Sequence, residues 1–210
     1  MKKAKKEFTI LDNYTLLCID PSERCTGVAI LKINNKKPLN FNDKHLDLIY
    51  YDIIPTHGME LGESVYNIEK KINQIIDIYH PTYITAESPF VGQNRVTIQR
   101  LAGVHSILDL IAFKHNHLRI VRYAVMSAKS ATLDKLTLKK LDGTRKTGDE
   151  LKLEVCNKIL DIIKDSNKIK QLDTRNSGMD ISDAISIGCC FIKNNGNEIE
   201  KKKKTRKKKK

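Results

Sequence analysis

Residues 15–20 form an apolar run that ends on Asp20, and directly behind Pro21 a second apolar run follows at 26–33. So short a connection, opened by an Asp-Pro turn, makes the second run reverse and lie beside the first as an antiparallel strand. A third strand pattern at 46–54 follows the polar loop NNKKPLNFND and extends the pair to a meander. The pattern then changes period. Residues 62–79 place Val65, Ile68, Ile72, Ile75, Ile76 and Tyr79 on one helical stripe, and Pro81 separates them from the strand-like YITAE. Residues 94–116 predict the longest helix, whose apolar and small positions, from Ile98 and Leu101 to Ile111 and Ala112, wrap more than one face. One side of it is expected on the sheet and another on a second copy of the chain. A short strand LRIVRYA, a polar loop, a helix at 149–164, a second polar loop and a last helix complete the order. The expected class is α/β, a mixed sheet with helices on both faces.

Three of these elements carry an acid at the end of an apolar run. Asp20 closes LLCID, Glu87 closes YITAE, and Asp180 and Asp183 open the stretch Ile181, Ala184, Ile185, Gly188, Cys189, Ile192. An acid just past a buried strand projects from the sheet edge toward a cleft, and two acids three apart in a helix share one face. The four are therefore expected to converge on one point as a carboxylate cage for divalent metal. Each acid alone has a plainer explanation. Asp20 before Pro21 opens a turn, Glu87 is a solvated strand end, and Asp180 is a helix cap. A cap does not explain Asp183, one turn on among apolar neighbours.

The stretches IDPSERCTGVAI, PTYITAESPF and DISDAISIG, in this order and spacing, resemble the RuvC family of Holliday-junction resolvases in the ribonuclease H-like superfamily. The likeness runs over most of residues 14–193. It implies a ribonuclease H-like mixed five-stranded sheet and carries the four catalytic carboxylates onto Asp20, Glu87, Asp180 and Asp183. Ser22 departs from the pattern, since many members have glycine after the Asp-Pro. The resemblance also puts basic residues at Lys129 and Lys152 near the scissile phosphate, with Lys146 an alternative to Lys152. Phe90, in the polar loop with Gln93 and Arg95, matches an aromatic used at the junction centre.

Charge is unevenly placed. Of the formal +13, residues 201–210 carry nine positive charges and residues 1–7 a net three, so 8–200 hold 25 basic and 24 acidic groups. The expected organisation is a basic arm at 1–13, a nuclease domain at 14–195 and a disordered lysine-rich tail at 196–210, the tail a non-specific phosphate tether. Within the body, residues 119–152 hold nine basic side chains against four acids, among them Lys129, Lys139, Lys140, Arg145, Lys146 and Lys152. This is the expected DNA-facing segment. Five cysteines without a C-x-x-C pair predict a reducing, intracellular setting and no structural zinc, and no run of eighteen apolar residues suggests a membrane span. His115 and His117 are expected on a solvated helix end rather than on a metal.

Phosphodiester hydrolysis loads extra negative charge on the phosphoryl group, which two Mg²⁺ ions about 3.5 to 4 Å apart would stabilise. Mg²⁺ takes hard oxygen ligands, and Mn²⁺ would substitute. The expected protein is a homodimeric, Mg-dependent endonuclease that resolves four-way DNA junctions in recombination and repair, one active site per opposed strand. The alternatives are a nuclease of the same fold acting on other branched DNA, RNA or hybrids, and a non-catalytic junction binder.

Overall fold

The computed structural model describes residues 10–22, 24–34, 46–89, 95–115, 118–133, 140, 143–164 and 178–197. The Asp-Pro turn does reverse the chain. Strand β1 (Asn13–Pro21) pairs antiparallel with β2 (Cys25–Asn34), and β2 with β3 (Asp47–Pro55). Ser22 closes the hairpin tip: its backbone N–H donates to the Cys25 carbonyl at 2.9 Å, and its hydroxyl donates to the same oxygen at 2.7 Å. The place where relatives use glycine is thus met by a side chain that bonds its own turn.

Helix α1 (Leu61–Tyr79) returns the chain, ending in His80, whose N–H still reaches the Ile76 carbonyl and whose left-handed φ of 44° turns the chain out of the helix before Pro81. Strand β4 (Tyr83–Glu87) then joins β1 in parallel, helix α2 (Arg95–Lys114) crosses over, and β5 (Ile120–Tyr123) pairs in parallel with β4. The sheet order is β3-β2-β1-β4-β5. It is the mixed five-stranded sheet expected.

Strand parity sorts the core into two layers. Leu17, Ile19, Val28, Ile30, Ile84 and Ala86 face α1 and α2. Leu16, Cys18, Ala29, Leu31 and Val121 face the other side, covered by α3 (Val125–Thr132), α4 (Gly148–Ile162) and α5 (Gly178–Lys193). Helix α3 corrects the expected polar loop. Its sequence VMSAKSAT has no apolar stripe, and what makes it helical is tertiary: Ala128, Lys129, Ala131 and Thr132 are buried, and the Thr132 and Ser186 hydroxyls bond each other at 2.9 Å.

Helix α5 is buried almost all round from Ile181 to Ile192, not on one stripe. Two glycines set its approach. A Cβ on Gly188 would stand 2.5 Å from Cys18 Sγ and 2.7 Å from Leu31 Cδ1, and one on Gly27 only 2.2 Å from the Asp180 carbonyl oxygen. Both positions let the helix lie against β1 and β2 closer than any side chain would allow. Among the described residues α2 is the one helix long and apolar enough to cross a membrane, yet Val104, Ile107, Leu108, Ile111 and Ala112 are buried against α1 and the sheet, as in a core helix.

Candidate active site

Asp20 and Glu87 meet because of register. Ile19 pairs with Ala86 across the parallel β1–β4 ladder, so the next rung sets Asp20 beside Glu87 at one sheet end. Ile19 and Ala86 point toward α1 and α2, so alternation turns both acids to the opposite face, where α5 lies. Asp20 in turn sits opposite Gly27, against which the first turn of α5 is pressed. Asp20, Glu87 and Asp183 accordingly line one small cleft with Lys129, Val125 and Ala128 of α3 and with Ser186 and Ile187 of α5.

The electrostatics are those of acids crowded out of water. Burial pushes the Asp20 carboxyl well above the usual range, reinforced by a hydrogen bond to Glu87 and the charges of Glu87, Asp183 and Asp180. Glu87 is also raised, by burial first, while the Asp20 bond, Lys129 and Lys152 oppose the rise. One proton held on Asp20 and shared with Glu87 is the arrangement that relieves two adjacent carboxylates. Asp183 is raised by burial against the pull of two lysines: Lys129 Nζ stands 3.9 Å from its Oδ1 and Lys152 Nζ 3.6 Å from its Oδ2.

Asp180 departs from full convergence. Its Oδ2 accepts the Cys25 thiol at 2.8 Å, and it is not among the residues lining the cleft. Among the described residues no group of three or more His, Cys, Asp or Glu side chains is closed into a ready-made metal cage. The carboxylates meet a shared proton, the Cys25 thiol and the ammonium groups of Lys129 and Lys152, each of which relieves their mutual repulsion. The donor set nonetheless suits a hard divalent ion. All the candidate donors are oxygens, and Asp183 Oδ1, with Lys129 Nζ 3.9 Å away, is buried without a hydrogen bond and so keeps lone pairs for a divalent ion.

The basic residues divide. Lys152 is carried to Asp183 by α4, whose start is fixed by a capping box: Thr147 Oγ1 accepts the Glu150 N–H at 3.3 Å and Glu150 Oε2 accepts the Thr147 N–H at 2.8 Å. Lys146, its rival in the sequence, is instead paired with Glu154, and Lys140 with Glu150 at 3.0 Å. Lys129 is 6% exposed and sits inside the cleft. Arg95 opens α2 and Arg145 is exposed ahead of α4. Phe90, Gln93 and Lys139, like the arm at 1–9 and the tail at 198–210, lie outside the described residues. Cys25 was not anticipated as a neighbour of Asp180. The available signal was Gly27, a glycine inside a strand opposite an acid, which marks the close approach that brings α5 there.

A mixed sheet in this order, with acids from β1, β4 and α5 gathered at one end, defines a protein of the ribonuclease H-like fold. The family model described as crossover junction endodeoxyribonuclease RuvC matches residues 16–146, and the chain belongs to that family. The RuvC of Chloroherpeton thalassium is 25% identical over 174 residues, covering 83% of this chain and 79% of that protein. The RuvC of Francisella tularensis subsp. holarctica is 24% identical over 178 residues, covering 83% and 85%. Among solved structures, Thermus thermophilus RuvC in complex with a Holliday junction substrate superposes with a TM-score of 0.63 at 14% identity, over 88% of this chain and 98% of that one. The yeast mitochondrial Holliday junction resolvase Ydc2 gives 0.59 at 11% identity, over 89% and 80%. Lys152, Asp180 and Asp183 fall beyond the stretch matched by the family model, so their placement rests on the fold.

Proposed function

We propose that the protein is a divalent-metal-dependent endonuclease that resolves four-way DNA junctions by hydrolysing phosphodiesters in two opposed strands. The observation that carries this is the cleft where Asp20, Glu87 and Asp183 meet under two lysines, with Asp183 Oδ1 left unbonded. The names of the relatives agree with it. Asp20, Glu87 and Asp183 would hold the metal, with Asp180 joining by turning from Cys25. Mg²⁺ is the expected ion, and Mn²⁺ would serve the same oxygen donors. Bound there, divalent ions supply charge to the attacking and leaving oxygens of the phosphoryl group.

The chain's own groups do the rest. Lys152, held by the capped start of α4, presents an ammonium beside the cleft, where negative charge grows on the phosphoryl oxygens. Lys129, from within the fold, opposes the rise that burial imposes on the Asp183 carboxyl. Apolar positions left exposed on α2, Val96 at 58%, Leu110 at 44% and Phe113 at 63%, support a homodimer built partly on that helix. A two-fold dimer would offer one cleft to each of two opposed strands.

The test is cleavage of synthetic four-way, three-way, duplex and RNA/DNA hybrid substrates with and without Mg²⁺. Mg²⁺-dependent paired nicks in the four-way junction are expected. Preferred cutting of a hybrid or of three-way DNA would move the substrate to the alternatives, and junction binding without any turnover would make the protein a binder. A sedimentation mass of 24.0 kDa with full activity would remove the dimer.

A further inference from the structure

A second polar pocket lies at the same end of the sheet, outside the carboxylate cleft. Its volume is about 290 Å³, and it is lined by Arg24, His57, Gly58, Val96 and Arg100. Three separate segments build it. Arg24 sits in the β1–β2 hairpin tip, just past Asp20; His57 and Gly58 form the turn between β3 and α1; Val96 and Arg100 belong to the first turns of α2, the helix that follows Glu87. Two arginines and a histidine share the pocket, and no acid is among the described residues lining it.

The segments are fastened to one another. The Arg24 carbonyl accepts the Thr56 N–H at 2.9 Å, and Arg100 Nη2 donates to the Met59 carbonyl at 3.1 Å. Gly58 takes a φ of 76°, a left-handed turn that folds 56–59 back under the hairpin tip. One guanidinium nitrogen of Arg100 is thereby anchored while the remaining donors of its fork can face an anion. Collecting two guanidinium groups at a concave surface costs repulsion that none of the described lining residues offsets, and an anionic ligand would offset it.

Resting on the function proposed above, we infer that this pocket binds a backbone phosphate of the DNA strand that enters the cleft, and so sets the register of that strand. Spacing supports a phosphodiester of the same strand. At ~3.3 Å of rise per residue the hairpin carries Arg24 on the order of 10 Å beyond Asp20. One DNA strand advances by ~3.4 Å of helix axis per nucleotide, so a strand only a few nucleotides long can reach from the cleft to the pocket.

The experiment measures junction and duplex binding by the full chain as a function of salt, for the wild type and for Arg24→Gln. Loss of one phosphate contact is expected to lower the salt slope by about 0.9 and to weaken binding several-fold at low salt. A series of junctions with one neutral methylphosphonate each then locates the contact. The wild type should lose affinity at one position near the cut, and Arg24→Gln should be insensitive at that position only. Arg100→Gln should repeat the pattern, and if it unfolds through loss of the Met59 bond, seen as a lowered thermal midpoint, His57→Gln takes its place. An unchanged salt slope in Arg24→Gln, with the wild type cutting junctions normally, overturns the pocket alone. Wild-type protein that binds DNA without Mg²⁺-dependent cleavage overturns the nuclease reading, and the change in slope still decides the pocket. Sensitivity to methylphosphonate that is identical in wild type and variants assigns the contact elsewhere and also overturns it.

Discussion

Asp20 and Glu87 stand on neighbouring strands whose register leaves them no choice of neighbour, whereas Lys140 and Lys146 ride near an exposed turn and pair with acids of α4. The acids are placed by backbone hydrogen bonds, the cations by side chains that select partners within reach. Position in an element therefore predicts the first group, and counting charge misleads about the second. A basic-rich segment is a DNA-facing one only in so far as its charges are not already paired. Lys152 and Lys129 belong with the acids, since one comes from a capped helix start and the other is buried.

The strongest way to break this contrast is to neutralise the acids without changing their shape. Asp20→Asn, Glu87→Gln and Asp183→Asn are each expected to lower junction cleavage by about 10³-fold or more, with junction binding retained, because they remove metal charge and not contact surface. Asp180→Asn should follow them if its carboxylate turns from Cys25 to the metal. A thermal midpoint measured with and without Mg²⁺ separates charge from damage. Ion binding at a hundred times Kd stabilises a protein by about 2.7 kcal/mol, and this gain should vanish in the Asp183→Asn protein. In metal-free buffer Asp20→Asn should be no less stable than wild type, since a neutral amide replaces a carboxyl that burial and its neighbours already hold protonated and can donate to Glu87 in its place.

Next comes the choice between two lysines. Lys152→Ala is expected to lower the single-turnover rate by about 10² to 10³-fold, the range for losing one electrostatic donor at a reacting centre, with little change in binding. Lys146→Ala removes a cation already paired with Glu154 and should change the rate by less than about three-fold. Equal losses in both would mean that the pairing seen at α4 rearranges on DNA, and the division of the basic residues would fall.

How much of this was readable beforehand follows the same line. The hairpin, the five strands and the Asp-x-x-Asp start of α5 were legible, because period-two and helical patterns and a proline turn act locally. Helix α3 was not, since VMSAKSAT acquires its helix from burial of Ala128 and Ala131 under α5. The tie of Asp180 to Cys25 was equally hidden, as it joins residues 155 apart and depends on how closely Gly27 lets α5 approach. Lys146 and Lys152 could not be ranked from sequence, because which of them approaches Asp183 depends on a capping box at Thr147 and on the reach of one side chain.

Away from the cleft, His105 offers a smaller and opposite response to acid. Burial, and then the nearby Arg122 charge, push this histidine down to about 4, against 6.5 for an ordinary one. A depressed histidine is neutral in the folded chain while the unfolded chain takes up its proton, so stability falls as pH drops through 6.5 and levels off below about 4. At 1.36 kcal/mol per unit the loss is about 3 kcal/mol. Denaturant midpoints from pH 7 to 4 should show it, and His105→Leu should flatten this part of the curve. The raised carboxyls of the cleft act in the other direction. They hold protons in the folded state, so their contribution rises on acidification and is lost as pH increases, which leaves the curve of the His105→Leu protein tilted toward acid.

The smallest expected effect concerns Cys25, a residue between the two regions compared. It is held by the hairpin turn, its backbone N–H meeting the Ser22 hydroxyl at 3.3 Å, yet its thiol serves the acid side by donating to Asp180. Cys25→Ala removes that donor and leaves Asp180 to choose its orientation. Losing one hydrogen bond to a charged group is worth about 1.5 kcal/mol, or roughly ten-fold in an equilibrium constant. The Mg²⁺ concentration for half-maximal cleavage should therefore shift by up to ten-fold. The direction tells which state the thiol favours: a rise means that it orients Asp180 for metal, a fall that it holds the carboxylate away. Cys25→Ser keeps a donor on a shorter bond and should restore most of the wild-type value in either case. Since Ser22 and Gly27 are unchanged in both variants, thermal midpoints should stay close to wild type, and a shift in metal dependence without a shift in stability would make Cys25 a positioning residue for Asp180. If neither substitution moves the Mg²⁺ dependence, Asp180 is placed by the backbone of α5 alone, and the rule that backbone places the acids holds for all four.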